Sequence, residues 1–202
     1  MCSQRPCARL PAVFVVLLAW VLALGPAAAA DRSPTLDSDR LRAVMAAYLV
    51  NFAMHIRWPE EPDSERQSLT LVVLGPDRLG EALDRAVVGR TVGGLPLRVV
   101  RVPDLAALSE GALIFLDNPA PGEAERVAQA LVGRPTLLVA YSSAPEGTPA
   151  AIDLVLMRDG TLRYKLAISR LREAGLTPSA GLLQNALRGD ARLGQLNPPS
   201  PP

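Results

Sequence analysis

The stretch "LTLVVLGPDRLGEALDRAVVGRTVGGLPLRVVRV", residues 69–102, decides the fold. Its first six residues are continuously apolar, as a strand buried on both faces should be. Gly75-Pro76 then turns the chain, and Leu79, Leu83 and Val87 recur at helical spacing. "LPLRVVRV", residues 95–102, is a second apolar, β-branched run. Strand, helix, strand is the unit from which parallel sheets are built, because parallel neighbours need a crossover.

The alternation continues towards the C-terminus. "DLAAL" predicts a short helix from Asp104, "ALIFL" (112–116) a third strand, and "TLLVAY" (136–141) a fourth. Between the last two, "NPAPGEAERVAQALVG" places Ala124, Val127, Ala128 and Leu131 on one side of a helix. "IDLVLMRDGTLRYKLAI" is two runs joined at Asp159-Gly160, a hairpin signal. "SRLREAG" predicts a helix with Gly175 as its C-cap, and "TPSAGLLQNAL" another with Thr177 as N-cap and Pro178 at its first position. The expected fold class is α/β: a mainly parallel sheet flanked by helices, ending in an antiparallel hairpin, in a single domain.

Upstream, the apolar period over Leu41, Val44, Met45, Tyr48, Phe52, His55 and Ile56 predicts one buried helix face from Asp39. Pro59 stops that helix, since the residue before a proline is pushed out of the α region. Residues 1–30 read as a secretory signal peptide: Arg5 and Arg9, the apolar run "VFVVLLAWVLAL", Gly25-Pro26, then "AAAA" with cleavage placed after Ala30. Residues 31–38 read as a polar leader, 39–190 as the α/β domain, and 191–202 as a disordered Pro-rich tail.

Both cysteines, Cys2 and Cys7, fall in the signal segment, so the exported chain has no disulfide. It keeps 19 basic and 20 acidic side chains, which argues against a nucleic-acid partner. His55 is the only histidine, which leaves no Cys-His dyad and no multi-histidine zinc site. A Ser-His-Asp triad would need His55, yet no Gly-x-Ser-x-Gly elbow exists and Ser142-Ser143 lacks flanking glycines. "LGPDRLG" stands where doubly wound folds bind phosphate but lacks the glycine and lysine signatures, and Asp77 fits better as a helix N-cap. Glu60, Glu61, Asp63 and Glu65 lack the spacing and glycine turn of a calcium loop. These absences predict a non-catalytic protein with no metal and no cofactor.

The run "AYLVNFAMHIRWPEE", residues 47–61, concentrates three aromatics in a chain that is only 4% aromatic. Phe52 lies on the apolar face, and His55 on that side reads as half-buried or as part of a partner surface. Trp58 beside Pro59 is either core or interface. Asn51 either bonds backbone or meets a partner. Tyr164 and Lys165 lie on the last strand and are open to pairing if it is an edge. Ser179, Leu182 and Leu183 are expected to pack the last helix on the sheet.

Taken in order, "RAVMAAYLVNFAMHIRWPEE", "LVVLGPDRLGEALDRAVVGRTVGGLPLRVVRV", "LIFL", "GRPTLLVAY" and "LRYKLAISRLREAGLTPSAGLLQNAL" resemble the YfiR family of periplasmic regulators, once labelled DUF4154, over residues 40–187. The chain departs from it in lacking disulfide-forming cysteines and in reading "YKL" at 164–166. The resemblance implies a Rossmann-like protein, often dimeric and without catalysis. It implies periplasmic repression of an inner-membrane diguanylate cyclase, or a related sensor kinase, through that partner's periplasmic domain, with effects on cyclic di-GMP and biofilm. On this reading Asn51, Phe52, His55, Trp58, Tyr164 and Lys165 are the tentative partner-binding residues. The other reading is a periplasmic small-molecule-binding accessory protein of an outer-membrane uptake or sensor system.

Overall fold

The computed structural model describes residues 34–59, 67–108, 112–142 and 148–186. The signal segment, residues 31–33 of the leader, the acidic residues 60–65, Ser143 and the C-terminal tail lie outside the described residues. Contacts separate residues 1–37 from a compact unit that begins at Ser38, and the architecture below is that of the second unit.

Helix α1 (Pro34–His55) leads into a two-residue strand β1 (Ile56–Arg57). Then come β2 (Leu69–Leu74), α2 (Glu81–Val87), β3 (Thr91–Val92), β4 (Leu95–Val102), a 3-10 turn (Leu105–Ala107) and β5 (Leu113–Asp117). Helix α3 (Glu123–Ala130), β6 (Leu137–Tyr141), β7 (Ile152–Leu156), β8 (Leu162–Leu166), α4 (Ile168–Glu173), β9 (Thr177–Pro178) and α5 (Ala180–Asn185) complete the chain.

Seven strands form one sheet in the order β3-β4-β2-β5-β6-β7-β8. The middle five are parallel, and the β3–β4 and β7–β8 pairs at the two margins are antiparallel. The parallel strands therefore run 2-1-3-4-5, a doubly wound order whose direction reverses between β2 and β5. The α/β class, the parallel sheet and the closing hairpin agree with the sequence. The turn at Asp159-Gly160 has Gly160 at φ 78, a conformation that glycine adopts without steric cost.

Two apolar layers sandwich the sheet. One face carries Leu71, Val73, Leu113, Phe115, Leu137 and Val139 under α1, α2, α4 and α5. The other carries Val72, Leu74, Ile114, Leu116 and Leu138 under α3, whose Ala124, Val127 and Leu131 are buried. Strands β2 and β5 thus bury both faces, which is why they read as unbroken apolar runs.

Three local expectations need correction. Helix α1 starts at Pro34 rather than Asp39; proline suits a helix's first turn because that N–H has no intrahelical partner. Its buried face keeps Met45 and Phe52 of the expected set, with Ile56 buried just past its end, but is turned towards Ala46, Leu49 and Ala53, which are wholly buried, while Val44 and His55 are exposed. Apolar residues lie on most sides of this helix, so the period left the face poorly fixed, and Ala46 and Ala53 are among the residues it buries. The last helix is capped by Ser179, whose hydroxyl accepts from the Leu182 N–H at 3.3 Å, and not by Thr177. Thr177 and Pro178 instead pair with Arg57 and Ile56 in an antiparallel two-stranded sheet.

Candidate functional site

The end of α1 is held by two hydrogen bonds to carbonyls that a helix terminus leaves unsatisfied. The Trp58 indole N–H donates to the Ala53 carbonyl at 3.0 Å. The Ser179 backbone N–H donates to the His55 carbonyl at 2.9 Å. The first bond folds the Trp-Pro turn back on its helix, and the second ties β9 to the same terminus. Trp58 is half-buried and packs on the core beneath α1. It is at once a packing residue and a surface residue.

Between this terminus and the β3–β4 hairpin lies a cleft of ≈ 660 Å³. Trp58, Pro59 and Pro178 form one wall, Val92 and Leu95 the other, with Leu69 also contributing. The exposed Met54, His55 and Arg57 stand along it. Leu69 and Leu95 open strands β2 and β4, so the cleft lies at the N-terminal ends of the parallel strands.

The tentative partner-binding residues separate into four places. His55 and Trp58 meet at the cleft. Asn51 lies on the exposed side of α1. Lys165 is half-exposed on β8, which is an edge strand as the sequence reading required. Phe52 and Tyr164 are in the core, at 0% and 4% exposure, so neither ring faces a partner in this structure. Phe52 and Tyr164 are edge-on at 5.1 Å between ring centroids, and Tyr48 meets Tyr164 at 5.6 Å. Tyr48 donates to the Leu162 carbonyl at 3.1 Å and Tyr164 to the Leu182 carbonyl at 2.8 Å. The three rings thus join α1, β8 and α5. Burial, with the nearby Tyr48, pushes the Tyr164 phenol above its ordinary pKa. Of the closing-helix residues, Leu182 is buried and Leu183 is 47% exposed.

The opposite end of the sheet has different chemistry, which the sequence reading missed. Arg101 on β4 donates from Nε to Asp77 at 2.5 Å and from Nη2 to Asp84 at 2.9 Å. Asp77 also accepts from the N–H groups of Leu79 and Gly80 at 2.8 and 2.9 Å, so it closes the turn ahead of α2, whose N-cap is Gly80 and not Asp77 as expected. Burial alone would raise the Asp77 carboxyl, but the Arg101 and backbone hydrogen bonds outweigh it and hold the group below its ordinary pKa. Asp117 ends β5 with its side chain 1% exposed and Arg78 Nε at 3.7 Å. Neither of its oxygens accepts a hydrogen bond. Burial raises its pKa, partly offset by Arg78 and reinforced by Asp77. An acid closing the apolar run "LIFLD" was the available signal.

Among the described residues, no group of three or more His, Cys, Asp or Glu side chains could hold a metal ion. No helix among them is long and apolar enough to cross a membrane. The doubly wound sheet, the Trp-Pro helix stop and the cleft beside it define a single-domain α/β protein with a cleft at the N-terminal ends of its parallel strands. Residues 42–187 match the YfiR/HmsC-like family, DUF4154, and the chain belongs to that family. Its members are known as periplasmic, non-catalytic regulators. No curated protein matches the chain.

Proposed function

We propose that this protein is a periplasmic regulator that restrains an inner-membrane diguanylate cyclase or sensor kinase by binding its periplasmic domain, with the α1-terminal cleft as the contact surface. The observation that carries this reading is the placement of Trp58. The helix stop within the family match also forms a wall of a cleft of mixed polar and apolar lining, bordered by exposed Met54 and Arg57. Aromatic, methionine and arginine side chains are the types enriched at protein interfaces. Regulation requires that the cleft bind one conformation of the partner better than the other, since equal affinity shifts no equilibrium.

The test is co-purification of the exported protein with the periplasmic domain of the cyclase or sensor kinase encoded beside it, using wild type and Met54→Asp. Met54 is 44% exposed, so its substitution leaves the core intact. Capture by wild type, and a tenfold or greater loss with Met54→Asp at unchanged melting temperature, supports the reading. Equal capture by both proteins removes the cleft from it, and no capture by wild type removes the regulator.

The cleft volume itself favours a second reading. A space of ≈ 660 Å³ falls within the size range of small-molecule sites. A small molecule retained by the purified protein in native mass spectrometry, and lost with Trp58→Ala, would favour a ligand-binding accessory protein.

A further inference from the structure

The C-terminal ends of the parallel strands hold a buried acid in an unusual state. Asp117 closes β5 at the place where the sheet's winding reverses, beside the loop that follows β2. An ionised carboxylate is acceptor-only and needs donors on both oxygens when taken out of water. Asp117 is given none: both oxygens are buried and without a hydrogen bond. The nearest cation, the Arg78 guanidinium, lies just beyond hydrogen-bond reach with Nε at 3.7 Å, and its side chain is 59% exposed.

The surroundings isolate this pair. Asp77, on the same loop as Arg78, is the other charge acting on Asp117, but Arg101 and two backbone N–H groups already occupy it. Asp84 on α2 is likewise held by Arg101. On the β6 side the register partner of Asp117 is Tyr141. The following residue, Asn118, has φ 51 and is the one non-glycine residue with positive φ among the described residues. Its N–H donates to the Tyr141 carbonyl at 2.7 Å, which fixes the backbone around Asp117. The strand end is therefore held in place, and the adjustable member is the long, half-solvated Arg78 side chain.

We propose that Asp117 and Arg78 form a proton-operated latch between the end of β5 and the loop after β2. With Asp117 protonated, the acid is neutral and nothing draws Arg78 closer than the 3.7 Å at which its Nε stands. When Asp117 releases its proton to water, the bare carboxylate draws the guanidinium inward to a charge-assisted hydrogen bond, and the loop carrying Arg78 moves with it. The latch lies at the opposite end of the sheet from the α1-terminal cleft and does not depend on the regulatory reading.

The experiment is an NMR titration of the full chain that follows the Asp117 side-chain carboxyl carbon and the Arg78 Nε–H together. The expected result is an Asp117 midpoint above the ordinary 3.8, with Arg78 Nε–H and the amides of Leu79 and Gly80 shifting at that same midpoint. Asp117→Asn should remove the Arg78 transition, and Arg78→Gln should move the Asp117 midpoint further up. Arg78 is mostly solvated, so the second variant stays informative if the first fails to fold. The latch is overturned by an Asp117 midpoint at or below 3.8, by an Arg78 signal that ignores the titration, or by an Arg78 transition that persists in Asp117→Asn.

Discussion

The indole N–H of Trp58 donates to the carbonyl of Ala53, five residues back, at 3.0 Å. One aromatic side chain thereby closes the helix that precedes it while its ring forms a wall of the cleft. Trp58 was open between core and interface on sequence grounds, and its half-burial shows that packing and exposure are both real.

The two contributions of Trp58 separate by substitution. Trp58→Phe keeps most of the ring and loses the donor, and should cost about 1 kcal/mol, the usual net worth of such a bond. Trp58→Ala also removes the packed ring, and should cost about 3 kcal/mol, at the low end of large-aromatic truncations because the ring is only half-buried. Urea unfolding monitored by far-UV circular dichroism measures both. Equal losses for the two variants would mean that the ring contributes nothing beyond its hydrogen bond.

The aromatic cluster gives a second expectation. Tyr164→Phe leaves the ring contacts to Phe52 and Tyr48 in place but strips the Leu182 carbonyl of its 2.8 Å donor. The loss should be about 1–3 kcal/mol, because an acceptor is left unsatisfied at a buried site. The phenol's raised pKa adds a pH signature. The folded state holds that proton more tightly, so this stability is complete below the ordinary tyrosine value of 10.0 and is lost as pH rises through the higher folded value. Thermal melts from pH 8 upward should therefore fall less steeply in Tyr164→Phe than in wild type. Parallel slopes would show that the phenol titrates as in the unfolded chain.

These residues also show what was legible in the sequence. Strands β2, β5 and β6 are buried on both faces, so their apolar runs announce them without any knowledge of their neighbours. The hairpin at Asp159-Gly160 is a local turn preference and was equally readable. The cleft was not, because it exists only once Ile56 and Arg57 pair with Pro178 and Thr177, more than a hundred residues further on. That pairing also explains the misplaced cap: "TPSAGLL" offers both Thr177 and Ser179 as N-caps, and only the distant strand decides that Thr177 is consumed in a ladder. The rotated face of α1 failed for another reason. A helix with apolar residues on most sides has a weak period, which leaves its buried face poorly fixed.

Ser179 links the end of α1 to α5, since its N–H binds the His55 carbonyl while its hydroxyl caps α5. Ser179→Ala removes only the hydroxyl and should cost about 1 kcal/mol. Loosening α5 should in turn weaken the backbone bond to His55. Hydrogen exchange should thus speed up at the Ser179 and Leu182 amides, with no change at Leu71 or Val139 in the sheet. Unchanged exchange at the Ser179 amide would show that β9 is held by its ladder alone.

The last expectation concerns acid. Asp77 has a folded pKa below its ordinary 3.8 because hydrogen bonds from Arg101 and the Gly80 and Leu79 amides outweigh its burial. The unfolded chain therefore binds the proton first on acidification. This contribution is fully present above 3.8 and is lost as pH falls through the lower folded value. Asp117 acts in the opposite sense: its raised folded pKa gives stability that is present below 3.8 and is lost as pH rises through the higher value. The two carboxylates, one on the loop after β2 and one at the end of β5, thus partly offset each other across the acid limb. Asp77→Asn should lose stability at pH 7 and show a shallower acid limb, while Asp117→Asn should gain at pH 7 and show a steeper one. Arg101 is 37% exposed, so Arg101→Met should reproduce the Asp77 effect at no more than about 1 kcal/mol. Melting temperatures from pH 3 to pH 7 on the three variants decide it, and acid limbs of equal slope would show that neither carboxylate changes its proton affinity on folding.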